Sequence, residues 1–160
     1  MDAWLQNYAA LTRAVRPSAD PDAAGAGAAG GMGFAFCSYL DGKLTSGIDL
    51  VLDQTRLEDE LCDADLVITG EGRLDGQSCM GKAPIGVARL AKRYGKRVIA
   101  FAGCVTEDAR LCNDHGIDAF FPILRTPCTP EDAMDIENAF RNLTDTAEQV
   151  LRLLVLENKK

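Results

Sequence analysis

The chain has 160 residues, 47% of them hydrophobic and 26% charged, enough for one ordinary domain or a little more around a buried core. Only 6% of it is aromatic, so that core must be aliphatic and rich in alanine. A net charge of −7 excludes a general nucleic-acid binder, which needs a basic face against phosphates, but leaves room for a local basic pocket.

The chain opens on a helical pattern. Trp4, Tyr8, Leu11 and Val15 fall at i, i+4, i+7 and i+11, one face of a helix with no strand before it to pack on. Such an opening reads as the middle of a fold, and so as a piece of a longer protein. Asp2 directly after Met1 is not the start of a signal peptide. Pro17 to Asp22 breaks the helix, and a run of small residues from Gly25 to Gly33 follows, leading into Phe34 to Leu40. The apolar stretch Ala23 to Leu40 is too short and too glycine-rich to span a membrane, so the expected location is the cytoplasm. Residues 41 to 64 read as a turn at Asp41-Gly42, a short strand near Lys43-Leu44, and helical pieces around Ile48 to Leu52 and Leu57 to Leu61.

From Asp65 the pattern is regular. Leu66 to Thr69 is a short apolar, β-branched run suited to a buried parallel strand. A helix follows, with Pro84 at its first position and Gly95 past its end. Val98 to Ala102 is the second strand, and Thr106 can cap a short helix through Cys112, ended near Gly116. Ala119 to Leu124 is the third strand, placed at or near an edge because Pro122 lacks a ladder donor. Thr129-Pro130-Glu131-Asp132 then starts a long helix that Asn138 or Asn142 could interrupt. Strands alternating with helices over residues 65 to 156 predict an α/β fold with a parallel sheet and ligands at the carboxyl ends of its strands.

The six cysteines are scattered, with no C-x-x-C pair and only one histidine, His115, in the chain. They read as reduced, mostly buried small residues rather than a zinc site. His115, before Gly116, reads as a surface residue or a partner of a helix C-terminus.

Three stretches bear on chemistry. Gly70 to Ser78 follows the first strand and carries Glu71, Arg73 and Asp75 among glycines that let the backbone turn sharply. Carboxylates there can hold Mg²⁺ or accept a proton from a substrate hydroxyl, and arginine can clamp a carboxylate or phosphate. The plain alternative is a tight turn whose charges pair with one another in water. Ser78 to Pro84 leads into a helix N-terminus, where backbone amides favour an anion and Lys82 adds a point charge. It is not a Walker A loop, and Lys82 alone reads as a solvated lysine. Gly25-x-Gly27-x-x-Gly30 formally matches a dinucleotide fingerprint. A proline-broken segment precedes it instead of a strand, so it reads as close helix packing or as a glycine-rich wall of a cleft. Cys104, after the second strand, reads as a small residue rather than a nucleophile.

Taken together, Gly25 to Gly33, Ser46 to Leu52, Ala64 to Ser78 and Gly81-Lys82-Ala83-Pro84 closely resemble the bacterial glycerate kinases in order and spacing, over residues 2 to 156. The resemblance implies an ATP-dependent kinase that converts glycerate to phosphoglycerate with Mg²⁺. It implies a flavodoxin- or CheY-like parallel sheet domain and a second, inserted α/β domain. Residues 1–63 would be the C-terminal part of the inserted glycine-rich domain, and residues 64–160 the C-terminal part of the sheet domain. Members of the family are more than twice as long and open with a strand and a serine-phenylalanine-lysine-glycine loop that does not occur here. Cys104 also stands where a smaller residue is expected. The chain is thus expected to be a portion lacking the N-terminal half, partnered by glycerate and ATP, by the missing half or by copies of itself.

Glu71, Arg73 and Asp75 are the expected catalytic residues, with Glu71 and Asp75 also the expected Mg²⁺ ligands. Gly70, Gly72, Gln77, Ser78 and Lys82, with Gly27, Gly30 and Gly31 from the other domain, are expected to bind substrate or phosphate. Two other classes compete: a different α/β small-molecule enzyme using the same rim, and a non-catalytic or regulatory module.

Overall fold

The structure, a computed structural model, describes residues 2–157. It divides into two compact units, Met1–Ser46 and Gly47–Lys160.

In the first unit, helix α1 (Asp2–Val15) and helix α2 (Ala28–Leu40) enclose a small core of Ala19, Ala26 and Phe34. The Tyr8 and Phe34 rings meet edge to face at 5.4 Å, and Tyr39 donates a hydrogen bond to Thr12. The first turn of α2 is not helical: Ala29, Gly30 and Gly31 all have positive φ. The apolar stripe of α1 is not what this unit buries. Thr12 is buried and Tyr8 half-buried, while Trp4, Leu11 and Val15 stand 62–79% exposed. No strand forms near Lys43-Leu44, and residues 41–46 have no regular structure.

In the second unit, α3 (Gly47–Thr55) and α4 (Leu57–Leu61) precede β1 (Leu66–Leu74). Then come α5 (Ala83–Arg93), β2 (Arg97–Val105), α6 (Leu111–Asp114), β3 (Ala119–Pro122), α7 (Pro130–Met134) and α8 (Ile136–Glu157). The three strands form a parallel sheet in the order β1-β2-β3. Among the described residues β2 is central, and β3 with Pro122 lies at an edge as its proline requires.

Helices cover both faces, which is why β2 reads as a continuous apolar run, buried from Val98 to Ala102. One face packs Val67, Val98 and Ala100 against Ile85, Ala88 and Ala91 of α5 and Cys112 of α6. The other packs Ile99 and Phe101 against Val150 of α8. α3 belongs to this unit because α5 receives it at Gly86, where a Cβ would lie 2.3 Å from Ile48.

Two expectations about helix ends need correction. Neither Asn138 nor Asn142 interrupts the last helix; the break is at Asp135, whose extended backbone separates α7 from α8. Its carboxylate accepts a hydrogen bond from the Asn138 amide and so caps α8 afresh. The cysteines are free of disulfides but not mostly buried: Cys112 is buried, Cys37 and Cys79 are half-buried, and Cys62, Cys104 and Cys128 are exposed.

Candidate active site

β1 does not stop at Thr69. It runs to Leu74, because pairing with β2 continues through Glu71 opposite Ala102, Arg73 opposite Cys104 and Leu74 opposite Val105. Gly70, Glu71, Gly72 and Arg73 are therefore strand residues, and the expected loop begins only at Asp75. Of the glycines that suggest a turn, Gly70 serves close strand approach, since a Cβ there would lie 2.5 Å from the Phe101 carbonyl oxygen; on β2, a Cβ on Gly103 would lie 2.4 Å from the Gly72 carbonyl oxygen. Alternation along the strand then places Glu71 and Arg73 on one face.

Asp75 begins a 3-10 turn, Gly76–Met80, through a reciprocal cap. Its carboxylate accepts from the Ser78 amide at 3.0 Å, while its own amide donates to Ser78 Oγ at 3.2 Å. Ser78 is fully buried, and its hydroxyl has one proton to give. The shortest partner is Glu71 Oε1 at 2.5 Å, with Asp75 Oδ1 farther at 3.2 Å. Ser78 thereby ties the strand carboxylate to the turn carboxylate. Gly81, with φ +94°, closes the turn and hands the chain to α5.

Two cations flank Asp75. Lys82, the residue preceding α5, brings Nζ to 3.4 Å of Asp75 Oδ1, and Arg73 Nε lies 3.7 Å from Oδ2. Burial pulls the Asp75 carboxyl upward. The hydrogen bond and charge of Lys82, with the amide and hydroxyl of Ser78, outweigh it and hold the group below its ordinary value. Lys82 is thus not simply solvated, although its side chain remains 42% exposed. Arg73 is 64% exposed and borders an open depression of about 580 Å³ shared with Thr106, Glu107, Asp108 and Arg110.

The structure brings Glu71, Asp75, Ser78, Arg73 and Lys82 together. Gly70 and Gly72 are exposed on β1, and Gln77 is exposed on the turn. Gly70 and Glu71 also border a groove of about 320 Å³ on the α8 side, walled by Phe101, Ile123 and Leu143. Gly27, Gly30 and Gly31 lie in the first unit, where Gly31 abuts Leu5. His115 is exposed at the end of α6, as its place before Gly116 suggests. A cavity of about 630 Å³ between α3, α4 and α5 is lined mainly by charged residues, of which Arg89 pairs with Asp49 at 2.9 Å and Arg56 with Asp59 at 2.5 Å.

Sequence reasoning missed Asp108 and the second role of Thr106. The Asp108 carboxylate takes hydrogen bonds from the Thr106 hydroxyl and the Gly76 amide, which hold it below its ordinary value. Thr106 also approaches the Leu74 carbonyl, so the segment after β2 braces the turn after β1. Equivalent positions after two parallel strands are the only sequence signal for that bracing.

The cluster combines both signs of charge, with both cations on Asp75. A buried hydroxyl fixes two carboxylates beside an arginine and a lysine at the carboxyl end of a parallel strand, where doubly wound sheets place ligands. No three histidine, cysteine or acidic side chains cluster to hold a metal unaided among the described residues. Mg²⁺ is commonly held by one or two carboxylates with phosphates and water, and Glu71 and Asp75 are the carboxylates that could serve such an ion here.

The sequence model of the glycerate kinase family matches residues 1–155. A glycerate kinase of Haemophilus influenzae is 46% identical over 98% of this chain and 41% of its own length. The glycerate 2-kinase of Escherichia coli K12 is 41% identical over 98% of this chain and 40% of its own. A crystal structure from Salmonella typhimurium LT2, assigned as a glycerate kinase 2, is 45% identical and superposes with a TM-score of 0.74, over 97% of this chain and 39% of that one. The chain thus spans about two-fifths of the length of these relatives. The family-model match and these relatives establish that the chain belongs to the glycerate kinase family.

Proposed function

We propose that this chain supplies one wall of a kinase site at which ATP phosphorylates a hydroxyl of glycerate. The observation that carries the reading is the Glu71–Ser78–Asp75 arrangement, with Arg73 and Lys82 beside it, in a chain of this family. Phosphoryl transfer needs positioning and neutralisation of charge more than covalent help from the protein.

Arg73, largely exposed, is placed to clamp the glycerate carboxylate or the transferred phosphoryl. Lys82 at the start of α5 steadies a phosphate as a point charge. Asp75, held ionised by Lys82 and Ser78, keeps its negative charge throughout and suits a metal ligand better than a proton donor. Glu71 is oriented by the Ser78 hydroxyl, so that its carboxylate can accept the proton of the attacking hydroxyl. Mg²⁺, when bound, would neutralise the charge on the phosphate oxygens.

The test is a chimera in which this chain replaces the matching two-fifths of the Haemophilus influenzae relative. ATP- and Mg²⁺-dependent phosphorylation of glycerate is expected, with other hydroxy acids turned over more slowly. Arg73→Ala should lower kcat/KM by roughly 10²- to 10³-fold, the range for removing one transition-state charge contact, with an unchanged melting temperature. Near-normal turnover would remove Arg73 from the site. A folded but inactive parent chimera would favour a non-catalytic module.

A further inference from the structure

The turn that carries Asp75 and Ser78 rests on a pair of thiols that the proposed reaction does not use. Cys79, half-buried on that turn, places its sulfur 3.5 Å from the sulfur of Cys112, which is fully buried on α6. The two residues are 33 positions apart, so only the fold brings them together. Among the described residues no other two cysteine sulfurs are in hydrogen-bonding contact. We propose that Cys79 and Cys112 are a peroxide-responsive dithiol that closes to a disulfide beneath the Asp75 turn.

The two thiols differ in the way such a pair requires. Cys79 is the one that solvent reaches, and Cys112 is wholly covered beside it. Cys112, closed off from solvent, is no first nucleophile; an oxidant arriving from outside meets Cys79. A reachable thiol beside a resolving thiol is the arrangement of redox-responsive cysteines. Closing the bond needs the sulfurs to approach from 3.5 Å to about 2.05 Å. The movement falls on a five-residue 3-10 turn ending in a left-handed glycine, not on the sheet.

The chemistry balances with a peroxide as oxidant. The Cys79 thiolate attacks one peroxide oxygen, the O–O bond breaks, and Cys79 becomes a sulfenic acid while the other oxygen leaves as water or alcohol. The Cys112 sulfur then attacks the Cys79 sulfur, the S–S bond forms and the S–O bond breaks. The departing hydroxide takes the Cys112 proton and leaves as water. Two thiols are oxidised by two electrons and the peroxide is reduced by two. This inference does not depend on the kinase reading.

The experiment treats the whole 160-residue chain with hydrogen peroxide under native conditions. Remaining thiols are then alkylated, the chain is digested without reductant, and disulfides are mapped by mass spectrometry. The expected result is a peptide pair joining Cys79 to Cys112, reversed by dithiothreitol and absent in Cys79→Ser. A second variant, Cys62→Ser, Cys104→Ser and Cys128→Ser, removes the exposed thiols, and its count of reactive thiols after unfolding should fall from three to one on oxidation. Overoxidised Cys79 with Cys112 still reduced, or either cysteine bridged mainly to another partner, would overturn the proposal. So would an unchanged thiol count.

Discussion

Ser78 shows how much one hydroxyl organises here. It is fully buried, accepts from the Asp75 amide and donates to Glu71. Ser78→Ala removes both links and leaves the Asp75 amide without that acceptor, a loss of about 1–3 kcal/mol, to be read by urea unfolding. Ser78→Thr keeps the hydroxyl and should recover part of it. Asp75 acts through charge instead. Its folded pKa is depressed, so the stability it contributes is complete above the ordinary carboxylate value of 3.8 and disappears as pH falls through the lower folded value. Asp75→Asn should therefore make unfolding less sensitive to acid in that window, while the wild type loses stability there. Equal acid sensitivity of the two proteins would mean that Lys82 and Ser78 do not hold the carboxylate.

At the scale of elements, the β1–β2 pair decides where the site sits. Its continuation to Leu74 and Val105 carries Glu71 and Arg73 on a rigid strand rather than a loop. That continuation needs glycine at 103, where a Cβ would meet backbone, which cannot move aside as a side chain can. Gly103→Ala should cost about 1–3 kcal/mol through overpacking and displace the strand ends, visible as lower stability and altered amide shifts around Gly72. A neutral effect would show that the strands already part there. The division of the last helix has a similarly local cause, a capping aspartate in extended backbone at Asp135.

Over the molecule, each compact unit leaves apolar side chains in water. Trp4, Leu11 and Val15 of α1 are 62–79% exposed, and on α8 Ile136 and Phe140 are 72–77% exposed. Contiguous exposed apolar surface marks contact sites or association. The chain by itself should therefore associate as concentration rises, and Trp4→Glu with Phe140→Glu should reduce that association. Sedimentation as a monomer at all concentrations would count against it. No helix is long and apolar enough to cross a membrane among the described residues.

The α/β alternation from residue 65 onward was legible because strand and helix periods, caps and breakers act within a few residues of one another. Pro84, Gly95, Pro122 and Thr129 all mark ends or edges that the structure keeps. Glu71, Arg73 and Asp75 stood out by composition, and their E-x-R-x-D spacing already carried the two-residue period of a strand. What the sequence left open was every choice made by a distant partner. The spacing of Trp4, Leu11 and Val15 marked one face of a helix but not what covers it, and the first unit buries Thr12 instead. The extra length of β1 depends on β2, its partner from a later part of the chain, and the bracing of the Asp75 turn depends on Thr106 and Asp108. Local order thus came from the chain's own spacing of apolar, capping and breaking residues. The convergence of two carboxylates on one buried hydroxyl, and of two thiols beneath it, was decided only by tertiary packing, because hydrogen bonds and sulfur contacts depend on distances in space that no spacing along a chain can state.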